Sequence, residues 1–307
     1  MPGRHGEAIG LDHAQATGDL GRRCPLPRSR TPHVPAIGPP SYPTSVSCGC
    51  RRAASGAAAA RAVNRALEIA ANSPASALAA GAAGASRVEL CAALELGGLT
   101  PSVGVVARVR ERLSLPLHVL VRPRAGDFVY TDDEHDTMLA DIAHCAASGC
   151  DGVVVGALTA SGEIDVARCS ELLEAAGALD TTFHRAIDLC PDMPAALEAV
   201  IALGFRRVLT SGGAASSIVG ADMLRQLVDQ AGDRIVVMPG AGITPDNIAW
   251  LATRTGAREF HASARQVLPT RMRVPVDPAL GMDGGESRAD AGRIHALLAA
   301  LREVAPK

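Results

Sequence analysis

The chain of 307 residues carries 30 Lys and Arg against 32 Asp and Glu, a formal net charge of -2, with 48% hydrophobic residues. That balance gives no electrostatic footprint for nucleic acid or an anionic membrane, and no apolar run approaches the roughly 18 residues of a membrane span. A soluble, cytoplasmic, well-cored domain is expected, filled by Ala, Val, Leu and Ile because aromatics make up only 2%.

Residues 1–65 differ from the rest. They hold eight of the 20 prolines, scattered arginines and little periodic hydrophobicity. They are expected to form a disordered or wrongly assigned N-terminal extension, leaving 66–307 as one domain. An Arg-rich segment whose acids are Glu7, Asp12 and Asp19 also admits a transit peptide. Cys48 and Cys50 lie in this segment without a second pair at metal-site spacing, and read as incidental thiols.

Short apolar runs follow at 66–71, 87–91, 117–122, 152–155, 181–184, 207–210, 234–238 and 258–261. Amphipathic or Ala-rich stretches separate them, many opening on cap-like pairs such as Ser73-Pro74, Thr131-Asp132 and Thr244-Pro245. Eight strands alternating with eight helices predict parallel pairing through right-handed crossovers. The 242 residues from Ala66 to Lys307 match the roughly 250 of a single (β/α)8 TIM barrel. A doubly wound sheet is the rival, but the first strand runs into Ala70-Ala71-Asn72-Ser73-Pro74 instead of a Gly-rich phosphate turn.

Alternation along each run assigns the interior positions. Glu68 falls inside on the first strand, Arg87, Glu89 and Cys91 on the second, Arg122 and Arg124 on the third. Thr182 and His184 fall inside on the fifth, and Glu259, His261 and Ser263 on the eighth. Buried charge must be paired, so Glu68, Glu89 and Glu259 are expected to neutralise Arg87 and Arg122. Barrel active sites lie at the carboxyl ends of strands. That selects Cys91, Arg122, Arg124, Asp127, His184, Arg185, His261 and Ser263.

Two glycine-rich turns bear on the same face. Thr210-Ser211-Gly212-Gly213 follows the sixth strand and Pro239-Gly240-Ala241-Gly242-Ile243 the seventh. Bare amides in such turns bind anions, and the second turn suits the usual barrel phosphate position better. Cys145, Cys150, Cys169 and Cys190 read as small hydrophobes.

By side chains alone, these residues suit an enzyme for a small phosphorylated or carboxylated metabolite, a lyase, isomerase or hydrolase. Arg122, Arg124, Arg185 and the turn at Gly240 and Gly242 would hold the anion. His184 or His261 would move a proton, and Glu89 or Asp127 would assist.

The segments Val88-Glu89-Leu90-Cys91-Ala92, Gly97-Gly98-Leu99-Thr100-Pro101-Ser102, Arg122-Pro123-Arg124-Ala125-Gly126-Asp127-Phe128, Thr182-Phe183-His184-Arg185-Ala186, Leu209-Thr210-Ser211-Gly212 and His261-Ala262-Ser263-Ala264 together resemble the CutC family, named for copper homeostasis. The resemblance implies a TIM barrel in the cytoplasm that self-associates as a dimer or larger. It also implies a copper role with Cu(I) as ligand, for which Cys91 and His184 are the candidate donors. The chain departs from relatives that place two cysteines where Ala70 and Ala71 stand, and has Ala125 where a glycine is familiar. The resemblance makes copper handling the expected function, with the enzyme as the alternative that the arginines, poor neighbours for a cation, favour.

Overall fold

The computed structural model describes residues 65–280 and 284–305, so the extension with Cys48 and Cys50 lies outside the described residues. Eight parallel strands alternate with eight helices. They are β1 (Ala66–Ala71), α1 (Pro74–Ala82), β2 (Arg87–Leu90), α2 (Val103–Arg110), β3 (Leu117–Leu120), α3 (Asp132–Ala147), β4 (Gly152–Val155) and α4 (Val166–Ala176). After these come β5 (Asp180–Phe183), α5 (Met193–Leu203), β6 (Arg207–Thr210), α6 (Ala221–Ala231), β7 (Val236–Pro239), α7 (Ile248–Thr255) and β8 (Glu259–Ala262). A two-stranded antiparallel excursion, β9 (Arg265–Leu268) and β10 (Glu286–Ala289), precedes α8 (Ala291–Arg302). The alternating TIM barrel expected from the sequence is therefore present. The excursion is not legible there, because its strands are short and half exposed.

Local chemistry sets the element ends. Ser73, Ser102, Thr131, Asp165, Asp192 and Asp290 each cap a helix by accepting a backbone amide. Thr131 and Glu134 complete a capping box on α3. Outward strand residues such as Leu67, Ile69, Val88, Leu90, Val119 and Val153 are fully buried under the helices. Each such side chain contributes about 1.5 to 3 kcal/mol by leaving water. Among the described residues no helix is long and apolar enough to cross a membrane.

Register delivers the charged interior. In the ladders flanking β1, Glu68 stands opposite Arg87 on β2 and His261 on β8. Ladders link β7, β6, β5, β4, β3, β2, β1 and β8 in that order, and no ladder joins β7 to β8. The cause is partly visible in β7. Val236 and Gly240 donate their N–H groups to β6, at Arg206 and Thr210, so alternation turns Val237 and Pro239 toward β8. Pro239 has no N–H to give.

Candidate active site

The interior is an ion network at the amino-terminal end that gives way to a cluster of two carboxylates and an imidazole at the mouth. Arg87 bonds Glu68 at 2.5 Å and Glu259 at 2.8 Å, and Arg207 bonds Glu259 at 2.7 Å and Thr182 at 3.1 Å. His118 lies 3.8 Å from Asp180. Burial, opposed by the charge of Glu68, brings its pKa down to about 4, so it is neutral. The expected neutralisation of Arg87 by Glu68 and Glu259 is present. Arg122 corrects the rest of that expectation, since its guanidinium donates to the carbonyls of Leu96, Gly98 and Gly126 and to no glutamate. His118 and Arg207, which the sequence does not single out, obey the same alternation and face this layer.

Above this layer His261 stands between two carboxylates. Its Nδ1 lies 2.7 Å from Glu68 Oε1 and 3.5 Å from Glu89 Oε2. Burial disfavours charge on both glutamates, yet they end differently. On Glu68 the burial penalty is outweighed by Arg87 and His261, and the carboxyl is held well below the usual range. On Glu89 burial wins, aided by the charge of Glu68, and the carboxyl is pushed up to about 7. Burial likewise opposes charge on His261, but Glu89 and Glu68 together raise its pKa. Glu89 Oε2 is buried without a hydrogen-bond partner.

His184 ends β5 with a different protonation. Its Nδ1 accepts from the Ala186 amide at 3.3 Å, which puts the proton of the neutral ring on Nε2. Burial, then the charge of Arg122, brings its pKa down to about 3. That Nε2 is buried and unpartnered. The ring lies against Phe128 with centroids 4.7 Å apart, and Gly156 makes room for it, since a Cβ there would sit 2.7 Å from His184 Cε1.

Glu89, Arg122, His184, Arg185, Gly242, His261 and Ser263 line one cavity of about 700 Å3 at the carboxyl ends of the strands. Arg265, Arg293 and Asp188 join them, none of which the sequence singled out. Arg124 and Asp127 do not line it. They bond each other at 2.9 Å on the surface, and Arg124 also bonds Glu134 at 2.6 Å. The chain leaves β3 at Leu120, so alternation no longer applies at Arg124. Gly240 sits just beneath the lining, where a Cβ would meet Leu209 at 2.5 Å.

The turn after β6 is occupied by the protein itself. Asp188 accepts from Thr210 Oγ1 at 2.5 Å, from the amides of Ser211 and Gly213 at 3.0 and 3.2 Å, and from Ser211 Oγ and Arg185 Nε. A carboxylate of this chain thus fills the anion-binding turn at Ser211 to Gly213.

Cys91 is fully buried against Leu120 and Val154, its thiol turned toward the Ala71 carbonyl at 3.7 Å. Burial, then Glu89, pushes that thiol far up, away from the thiolate that binds metal. Among the described residues, the one group of three or more metal-donor side chains is Glu68, Glu89 and His261. Oxygen and imidazole donors suit harder divalent ions, so this set does not fit Cu(I).

Fold and mouth define a parallel (β/α)8 barrel with a buried carboxylate and imidazole group at the carboxyl ends of its strands. The CutC family model matches residues 65–266, and the chain belongs to the CutC family. It is 52% identical over 242 residues to a CutC family protein of Xylella fastidiosa strain Temecula1, covering 78% of this chain and 90% of the relative. A CutC family protein of Xanthomonas axonopodis pv. citri is 51% identical over 237 residues, covering 77% and 99%. A crystal structure of CutC from Streptococcus agalactiae, provisionally described as a copper homeostasis protein, superposes with TM-score 0.62 at 33% identity, covering 65% of this chain and 98% of that one.

Proposed function

We propose that the barrel mouth is the active site of a cytoplasmic enzyme that moves a proton on a small anionic metabolite, as a lyase or isomerase. The observation that carries this reading is Glu89, a buried carboxyl raised to about 7 with an unpartnered oxygen beside His261. A base poised near neutrality is what general catalysis uses. Glu89 as carboxylate takes a proton from carbon next to a carbonyl. His184 donates its Nε2 proton in a hydrogen bond to the developing oxyanion, and His261, oriented by Glu68, returns a proton. Arg122 and Arg185 supply positive charge to the bound anion. Five free cysteines among the described residues suit a reducing compartment.

The test is a panel of phosphorylated and carboxylated metabolites, read by thermal stabilisation and turnover. A stabilising compound whose turnover disappears in Glu89→Gln supports the reading. No stabilisation and no turnover across the panel sinks it.

A copper role is the second reading, favoured by the group Glu68, Glu89 and His261 and by the description of the Streptococcus agalactiae relative. These donors would hold a divalent ion, with Cys91 taking no part. Competition titrations with Cu(II) and with Cu(I), each against a chromogenic chelator, test it on residues 60–307. No competition for either ion removes direct binding. Self-association follows from the family resemblance, and exposed Val219 and Trp250, which share a shallow surface hollow, offer it a face.

A further inference from the structure

The turn after β7 is built from the carbonyl side. Ser217, itself fully buried, donates its hydroxyl to the Gly240 carbonyl and its amide to the Ala241 carbonyl at 3.0 Å. Asn247 Nδ2 donates to the Gly242 carbonyl at 2.9 Å. Three consecutive carbonyls are therefore held. In a trans peptide the N–H points opposite to the C=O it is bonded to. The amides of Ala241, Gly242 and Ile243 accordingly point away from these anchors, and among the described residues none of the three donates a hydrogen bond. All three residues line the mouth cavity.

The turn also stores conformational strain. Ala241 and Gly242 have φ of 79° and 72°, and Ala264 in the facing turn after β8 has φ of 45°. A left-handed conformation is strained for alanine, and such strain persists where surrounding bonds enforce it.

Charge completes the arrangement. Arg265 and Arg293 line the cavity beside these turns, and neither has a carboxylate partner among the described residues; Arg293 donates to the Arg265 carbonyl. Of the acids lining the cavity, Asp188 is saturated by its own turn and Glu89 belongs to the proton-transfer group. Asp290 caps α8 by accepting the Arg293 amide at 2.8 Å and also binds Gln266, so the amino terminus of α8 is already used. An anion here depends on the amides and the arginines.

We propose that the amides of Ala241, Gly242 and Ile243, with the guanidinium groups of Arg265 and Arg293, bind a phosphoryl group, making the substrate of the mouth a phosphomonoester. This rests on the proton-transfer reading only for the word substrate; the phosphate site stands or falls separately. Consecutive amides and two forked cations match the three oxygens of a phosphoryl group, whereas a carboxylate offers two. The phosphoryl end is held at β7 and β8, and the reacting end lies toward Glu89 and His184.

Inorganic phosphate and acetate are the probes, titrated into the full chain by calorimetry, with Arg265→Gln, Arg293→Gln, the double variant and Glu89→Gln alongside. Circular dichroism melts check that the exposed arginine variants remain folded. Phosphate is expected to bind more tightly than acetate, and each arginine replacement to weaken it about tenfold, while Glu89→Gln still binds it. Absence of phosphate binding, equal binding of acetate, or unchanged affinity in the double variant overturns the site. If phosphate fails to bind while a carboxylated metabolite is turned over in a Glu89-dependent way, this inference falls and the proton-transfer reading survives. If phosphate binds as described but no metabolite turns over, the reverse holds.

Discussion

The Nδ1 of His261 lies 2.7 Å from Oε1 of Glu68, whose other oxygen is 2.5 Å from Arg87 Nε. One fully buried carboxylate thus joins the structural ion layer to the His261 and Glu89 pair at the mouth. Glu68→Gln should leave Arg87 and His261 without their charged partner and lower stability by about 3 to 5 kcal/mol, measured by urea denaturation near neutral pH. Its pKa is depressed on folding, so the wild-type contribution is present above the usual carboxylate value and disappears as pH falls below it. The gap between wild type and variant should therefore narrow in acid.

Glu89 has the opposite sign. Its carboxyl is raised to about 7 in the folded chain, so the folded state holds a proton that the unfolded chain has released. Stability from this group is complete below the ordinary carboxylate value and is lost as pH rises toward 7. Glu89→Gln should gain about 1 to 3 kcal/mol relative to wild type at pH 8, with little gain at pH 4. Equal melting shifts at both values would show that Glu89 is not perturbed.

His184 and His261 should separate by nuclear magnetic resonance of their ring nitrogens. Burial keeps His184 neutral, with its proton on Nε2, at every pH above about 3, while His261 is raised and gains its charge first as pH falls. His184 shifts that titrate between pH 5 and 7 would contradict its depressed pKa, and a proton on Nδ1 of the neutral ring would contradict the tautomer assigned from the Ala186 contact.

Asp188 ties the turn after β6 to the segment after β5 through contacts from Thr210, Ser211, Gly213 and Arg185. Asp188→Ala leaves buried donors at Thr210 and Ser211 unpaired and should cost about 2 to 4 kcal/mol, seen as a lower melting temperature. A fall below 1 kcal/mol would mean water replaces the carboxylate without loss.

Strand period and helix caps made the barrel legible, and alternation placed Glu68, Glu89, His184 and His261 on the interior because these residues lie within or directly beside regular strand. The same rule misplaced Arg124, since the backbone had already left β3, and the pairing assumed for Arg122 overlooked backbone carbonyls as acceptors. Asp188 gave no local signal, because its partners lie on the following strand and turn. Arg265 and Arg293 reach the mouth only through an excursion that interrupts the repeat. The chemistry of the family name pointed to Cys91, and burial with a high thiol pKa withdraws it from the surface of the site.

The junction of β7 and β8 is the clasp of the barrel, where the strands pack side by side without a hydrogen-bond ladder. Its two jaws carry the free amides after Pro239 and the arginine after Ala264, so a ligand spanning them would act as the pin. Amide hydrogen exchange would then slow at this junction on binding, far more than along β2 to β4.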